Sequence, residues 1–362
     1  MTVIKPKDTQ NLKYLGEIIA DKEEIVSVIS KDNHLEPENI DKIITNIDSV
    51  VGHQEASWLQ RNPENQWAGY LLFRYKFKYD PRQRILNKFP LHLLLEPTSI
   101  CNISCPMCFQ VDTSFRKKEY MGMMDIDLFK SLIDQAVENE CMALTLASRG
   151  EPLLHKQFGD MLAYCKDKFY ELKVITNATK LNEEMAHKIL ASAVSIVVFS
   201  VDSYFKEEYE KLRKGAKFEE VLTNIKRFCE IRNSNESYSK TTTRISGVKL
   251  SDEQKKDPYY EFWKGTVDSV LLKEPTYRWD SYGNEKFKLE KPCGLLWERM
   301  YVWYEGTCNP CDFDYKSSLA VGDASKEKLK DIWFGEKYNK LRKLSLEGKR
   351  SEMYPCRMCH LY

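Results

Sequence analysis

The sequence predicts an α/β chain built on an open, partial barrel of about six parallel strands. Short apolar, partly β-branched runs alternate with amphipathic helical stretches from residue 91 to 275, and the runs are apolar almost throughout. Strands of that kind are buried on both faces, as in a parallel sheet covered by helices. Composition supports a core of this size: 42% of the 362 residues are hydrophobic, and 55 Lys and Arg against 54 Asp and Glu leave a net charge of +1. That balance excludes a disordered chain. It also gives no electrostatic reason to expect nucleic acid or an anionic membrane as partner. The start lacks the apolar segment of a signal peptide, and no window reaches the ~20 apolar residues of a membrane span. A cytoplasmic chain with no membrane span is the expectation.

Patterning changes near residues 90 and 275, which divides the chain into three. Residues 1–90 read as a mainly helical extension without a catalytic pattern, a cap that covers or dimerises the rest. Leu12 to Ile29 and residues 39–51 have helical spacing, the second with Pro37 before it and Gly52 after it. Tyr70 to Tyr79, dense in aromatics and cations, reads as a strand or extended arm. Residues 91–275 form the barrel. Leu91 to Leu95, Met142 to Ala147, Leu172 to Thr176, Val194 to Val201, Thr241 to Ile245 and Val267 to Leu272 are its strands. Asp125 is the N-cap of a helix over Ile126–Glu140. Lys156 to Lys168, Asn182 to Ser192 and Phe218 to Asn233 supply further helices, and working residues belong at the C-terminal ends of the strands. Residues 276–362 begin a small third unit, with a hairpin around Glu305-Gly306 and a helix from Ser325 to Leu346.

Eleven cysteines carry the chemistry. At tight spacing in a reducing compartment they indicate metal binding or catalysis more than disulfides. Cys141, Cys165 and Cys229 stand alone in apolar stretches, where a small buried hydrophobe is the ordinary role. Cys101, Cys105 and Cys108 share one loop directly after the first strand. A four-iron cluster normally takes four thiolates, so three leave one iron open to a substrate or cofactor. Zinc with a distant fourth ligand is the alternative. Near the other end, Cys293, Cys311, Cys356 and Cys359 provide the four thiolates of a closed cluster. Zinc held by Cys308, Cys311, Cys356 and Cys359 is the alternative there, and His360 is either a ligand or a solvated side chain.

The C-x3-C-x-Φ-C loop, with Met107 at Φ, resembles the signature of the radical S-adenosylmethionine (radical SAM) enzymes. Four later segments at predicted strand ends extend the resemblance. Ser148-Arg149-Gly150-Glu151-Pro152 looks like the family's Gly-Gly-Glu-Pro segment, which receives the amino group of the cofactor's methionine, with Ser-Arg in place of Gly-Gly. Asn177 in Ile175–Thr179 and Ser200 in Phe199–Asp202 resemble residues that approach the cofactor. Arg213, before Gly215, resembles the arginine that pairs the methionine carboxylate. Met107, Gly150, Glu151, Asn177, Ser200 and Arg213 are thus the cofactor-binding candidates, and Cys101, Cys105 and Cys108 the catalytic cluster ligands. The Gly306-x4-Cys311 element is similar to the family's C-terminal SPASM and twitch domains. That register selects Cys311 over Cys308 and implies one auxiliary cluster on Cys293, Cys311, Cys356 and Cys359.

The resemblance implies two [4Fe-4S] clusters, S-adenosyl-L-methionine and a flavodoxin- or ferredoxin-type reductant. It implies reductive cleavage of the cofactor to a 5′-deoxyadenosyl radical that abstracts hydrogen from the substrate. Trp297 to Trp303 resembles proteins of sugar and polysaccharide biosynthesis. A carbohydrate or sugar-nucleotide substrate, dehydrogenated or epimerised by an oxidoreductase- or epimerase-type enzyme, is therefore expected. Maturation of a ribosomally made peptide and a non-catalytic iron–sulfur electron carrier are the alternatives. Arg244, at the expected end of the fifth strand, and Tyr277 to Asp280 are candidates for holding the substrate.

Overall fold

The computed structural model describes residues 2–3, 12–16, 19–275, 282 and 291–359. Strands β1 (Leu12–Tyr14), β2 (His92–Leu95), β3 (Ala143–Leu146), β4 (Glu171–Thr176), β5 (Ile196–Ser200), β6 (Thr242–Val248), β7 (Ser269–Lys273), β8 (Arg299–Val302), β9 (Thr307–Asn309) and β10 (Gly322–Asp323) join one sheet. Strands β2 to β7 pair in sequence order, all parallel, from His92 opposite Ala143 to Val248 opposite Lys273. This is the expected partial barrel of six strand–helix units. Strand β8 runs parallel to β2 and turns back through β9, whereas β1 lies antiparallel on β7 at the opposite edge. The expected hairpin around Glu305-Gly306 thus also extends the barrel sheet.

Five helices, α1 (Lys22–Ile29), α2 (Pro37–Thr45), α3 (Ile47–Val50), α4 (His53–Arg61) and α5 (Trp67–Gln83), precede the barrel. Between its strands lie α6 (Ile126–Glu138), α7 (Phe158–Cys165), α8 (Glu183–Ala191), α9 (Lys206–Leu212), α10 (Phe218–Asn233) and α11 (Lys256–Trp263). After it come α12 (Leu295–Glu298), α13 (Leu329–Phe334) and α14 (Glu336–Leu346). The Asp125 carboxylate accepts from the amides of Asp127 at 2.9 Å and Leu128 at 3.2 Å, so α6 starts where the sequence placed its cap. Phe129, Leu132, Ile133 and Ala136, spaced as one helical stripe, are fully buried. They pack in one core with Leu93, Leu144, Val174 and Val197 of the strands.

Three local expectations need correction. The helix expected from Leu12 begins only at Lys22, because Leu12 to Tyr14 is drawn into the sheet by β7. Tyr70 to Tyr79 is neither strand nor arm but the middle of α5. Tyr70, Phe73 and Phe77 recur at helical spacing, with ring centroids 6.3 and 5.6 Å apart, so the aromatics form a packed stripe. The long helix expected after Ser325 is broken at Gly335, whose ψ of 160° interrupts it between α13 and α14.

The helical extension packs beneath the barrel, against the N-terminal ends of the strands. Trp58 donates its indole N–H to the Tyr170 carbonyl at 2.9 Å, and Gln54 donates to Glu171 at 3.1 Å. Arg74 bridges Glu55 at 2.7 Å and Glu171 at 3.6 Å, and Lys173 meets Glu171 at 2.6 Å. Burial would raise the Glu171 carboxyl, but Lys173 and Arg74 hold it down at about 2. A carboxylate depressed in the folded state stabilises above its ordinary range and loses that contribution as pH falls toward 2. Acid titration from pH 5 to 2 is expected to unfold the chain more steeply than Glu171→Gln; equal acid slopes in denaturant melts would count against this network.

Candidate active site

The Cys101–Cys108 loop leaves the C-terminal end of β2, at the barrel mouth. Cys105 is buried, Cys101 and Cys108 are half-buried, and the Cys108 amide donates to the Cys105 carbonyl at 3.0 Å. The Ser104 amide donates to the Lys214 carbonyl at 2.8 Å, which fastens the loop to the segment carrying Arg213. Met107 is half-buried against the barrel core. Burial pushes the Cys101 thiol up to about 12 and the Cys105 thiol up to about 11. Thiols in such surroundings ionise only against a strong local cation, which suits them to a metal cluster and not to free thiolate chemistry. Among the described residues, no three His, Cys, Asp or Glu side chains converge on one point as a single metal ion requires.

Glu151 lies in the loop after β3 and is fully buried. Its carboxylate accepts from the Thr176 hydroxyl at 2.6 Å, the Asn177 amide at 2.7 Å and the Leu153 amide at 3.2 Å. Burial nevertheless carries its pKa up to about 7. Asn177 in turn donates to Asn102 at 3.1 Å and toward the Cys101 sulfur at 3.9 Å. The loops after β2, β3 and β4 are thereby one hydrogen-bonded unit. Gly150 permits this approach, since a Cβ there would stand 2.4 Å from the Thr98 carbonyl and 2.5 Å from that of Ile100. Ser200 ends β5 half-buried, in register with Ser246 of β6.

Arg213 is not open at the mouth. Its Nε donates to Asp202 at 2.5 Å and its Nη2 at 3.1 Å, and Asp202 also accepts from the Val248 amide at 2.9 Å. Burial disfavours the guanidinium charge, but Asp202 and the adjacent Cys105 reverse that and raise its pKa. Arg244, by contrast, is the third residue of β6 and reaches down to Ser269 and Gln54 at the barrel foot, so the expectation that it faces the mouth is wrong. A strand starting at Thr242 instead of ending near Ile245 accounts for the error. Tyr277 to Asp280 and His360 lie outside the described residues.

The Ser148-Arg149 departure has its own structural solution. Ser148 takes the positive φ of 136° that a glycine would otherwise supply. Arg149 turns inward, nearly fully buried, and grips Glu96 through Nε at 2.7 Å and Nη2 at 2.6 Å. Its Nη1 donates to the Tyr315 carbonyl at 3.0 Å, and its guanidinium lies 4.3 Å from the Trp303 ring centroid. Glu96 also accepts from the Tyr304 amide at 3.3 Å, so this pair joins the mouth to the segment after β8. Sequence reading missed Glu96 and gave Asp202 no role. An acid within two residues of the end of an apolar strand, as both are, was the available signal.

Cys293, Cys311 and Cys356 are half-buried and Cys359 is buried, and among the described residues these thiols do not form a closed metal-binding group. Cys308 instead packs inside β9, its thiol toward the Gly306 carbonyl and its ionic neighbours Asp323 and Glu327. Cys311→Ala is expected to lower iron content and change the cluster spectrum, while Cys308→Ala leaves both unaltered. Loss in the Cys308 variant alone contradicts this register, and loss in both points to the paired-knuckle zinc site.

Glu151→Gln and Arg213→Lys are expected to raise the apparent SAM concentration for cleavage with iron content unchanged. A lost charge-assisted bond of about 1.5–3 kcal/mol corresponds to roughly 10–100-fold. Lysine is chosen because alanine would strand buried Asp202. Unchanged apparent affinity in both variants would remove these residues from the cofactor site.

Residues 95–257 match the radical SAM superfamily, and residues 293–360 match SPASM, an iron–sulfur cluster-binding domain. A tungsten-containing aldehyde ferredoxin oxidoreductase cofactor-modifying protein of Pyrococcus furiosus is 25% identical over 321 residues, covering 75% of this chain and 87% of that protein. The antilisterial bacteriocin subtilosin biosynthesis protein AlbA of Bacillus subtilis is 29% identical over 145 residues, 39% of this chain and 31% of AlbA. Beyond the Pyrococcus protein, the chain spans less than half the length of these curated relatives. Streptococcus suis SuiB bound to S-adenosylmethionine superposes with a TM-score of 0.58 at 15% identity, over 86% of this chain and 93% of SuiB. BtrN in complex with AdoMet and 2-DOIA superposes at 0.53 and 18% identity, over 76% of this chain and 95% of BtrN. These two likenesses show the shared fold. Residues 95–257 thus form a radical SAM domain, followed at residues 293–360 by an iron–sulfur cluster-binding SPASM domain.

Proposed function

We propose that this chain is a radical SAM enzyme that abstracts hydrogen from a carbohydrate or sugar-nucleotide substrate, leading to dehydrogenation or epimerisation. When bound, the cluster and S-adenosylmethionine supply a 5′-deoxyadenosyl radical able to attack an unactivated C–H bond. The chain's own residues orient the cofactor and exclude water and competing hydrogen donors. The observation that carries the reading is the single hydrogen-bonded unit of the Cys101, Glu151 and Asn177 loops at the ends of successive strands. Cys101, Cys105 and Cys108 hold the catalytic cluster in this reading. Met107, Gly150, Glu151, Asn177, Ser200 and Arg213 surround the cofactor. Cys293, Cys311, Cys356 and Cys359 would hold one auxiliary cluster, which would offer an acceptor for the substrate's second electron or a wall of the pocket. A flavodoxin- or ferredoxin-type protein delivers the first electron.

The carbohydrate reading rests on the resemblance of Trp297 to Trp303 to proteins of sugar biosynthesis. The extension does not decide between substrates, because the short strands Thr2–Val3, Leu12–Tyr14 and Ile19–Ala20 precede α1, so that its start is not purely helical. Peptide maturation is the second reading, favoured by the match to AlbA, a bacteriocin biosynthesis protein. Deuterium transfer distinguishes them. Label from ring-deuterated sugar nucleotides is expected in 5′-deoxyadenosine. Label arriving only from a deuterated peptide would replace the carbohydrate reading.

A further inference from the structure

A cavity of about 200 Å³ lies at the foot of the barrel, remote from the cysteine loop, between the helical extension and the N-terminal ends of β4 to β7. A water molecule takes about 30 Å³ in the liquid, so the space holds several waters or one small ligand. Tyr14 and Gln54 line it from the extension, and Lys240, Arg244 and Ser269 from the barrel.

Its charges do not balance locally. Two acids also line it, and both are already satisfied. Glu171 is held by Lys173, Arg74 and Gln54. Asp268 is held by Arg232, by Arg61 at 3.6 Å and by the Thr243 amide at 2.7 Å. Among the described residues Arg244 meets only neutral hydrogen-bond partners, donating to the Ser269 hydroxyl at 3.2 Å and the Gln54 side-chain oxygen at 3.4 Å. Among the described residues, no carboxylate pairs with Arg244 or Lys240. A half-buried guanidinium without a counter-charge is costly, and its planar fork matches a carboxylate or phosphate edge. Burial keeps Tyr14 beside it protonated, with its pKa raised to about 12, so its hydroxyl is a donor at neutral pH. Nearby, burial lowers the Lys173 ammonium, and Arg244 and Arg74 repel it further despite Glu171.

We propose that this cavity binds one small oxyanion, a carboxylate or phosphate, on the Arg244 fork with Lys240 and Tyr14 beside it. The ligand bridges extension and barrel, so its occupancy fastens the two together. The site lies at the opposite end of the strands from the proposed chemistry and does not depend on it.

The test uses the full-length, cluster-reconstituted protein kept anaerobic. Inorganic phosphate and malonate are titrated separately by calorimetry and by thermal melting, which distinguishes the phosphate from the carboxylate source. One site per chain is expected for at least one of them. At tenfold its Kd it raises the melting temperature by about 2 °C. Arg244→Gln is expected to abolish the stabilisation, and Arg244→Lys and Lys240→Gln to weaken binding about tenfold. If Arg244→Gln does not fold, the other two variants decide. No saturable binding of either anion by the intact protein overturns the proposal. So does wild-type affinity in both Arg244→Lys and Lys240→Gln.

Discussion

Replacing Cys101, Cys105 and Cys108 together by alanine is expected to remove one of two four-iron clusters and all SAM cleavage. The intact chain should carry about eight irons and the variant about four, since each group of thiolates supplies one four-iron centre. The effect on activity is the largest expected, because in the proposed reading these three thiols would hold the cluster that SAM cleavage requires. Their setting argues for retention of the fold. Cys101 and Cys108 are only half-buried, and the loop is also held by Ser104 to Lys214 and by Asn177 to Asn102. Intact protein with about four irons, and zinc making up the remaining metal, contradicts the two-cluster assignment.

Arg149→Ala should cause the largest loss of stability. It leaves Glu96, fully buried, without its bidentate partner, and breaking a buried pair from one side costs about 3–5 kcal/mol. The same change removes the bond to the Tyr315 carbonyl and the stacking on Trp303, so the mouth loosens from the segment after β8. The double variant Glu96→Gln/Arg149→Met retains comparable volume without a stranded charge and should recover much of the loss. Chemical denaturation of the three proteins measures it. A single-variant cost under about 1 kcal/mol is what a surface pair would give, and would show that this buried pair does not hold the mouth together.

The barrel was legible in the sequence because its strands are short apolar runs flanked by caps that act locally. Asp125 and Asn182 cap their helices through their own side chains, with no tertiary help. Leu12 to Tyr14 was not legible, since an edge strand depends on a partner more than 250 residues later. Tyr70 to Tyr79 misled because its aromatics suit a strand by propensity, and only packing beneath the barrel selects the helix. At the mouth, the cysteines and strand-end motifs declare themselves by type and spacing. The pairs Glu96–Arg149 and Asp202–Arg213 do not. Their partners lie 53 and 11 residues apart, and nothing local requires either acid to turn inward.

The central claim is that the three-cysteine loop, with the Glu151–Asn177 unit around it, activates S-adenosylmethionine. The direct measurement is 5′-deoxyadenosine and methionine formed when reconstituted protein is incubated anaerobically with S-adenosylmethionine and a strong one-electron reductant. Both products are expected in equal amounts from the intact protein, and neither from the Cys101/Cys105/Cys108 triple variant. Full iron loading with no 5′-deoxyadenosine, with and without candidate substrates, would contradict the account and leave an iron–sulfur electron carrier.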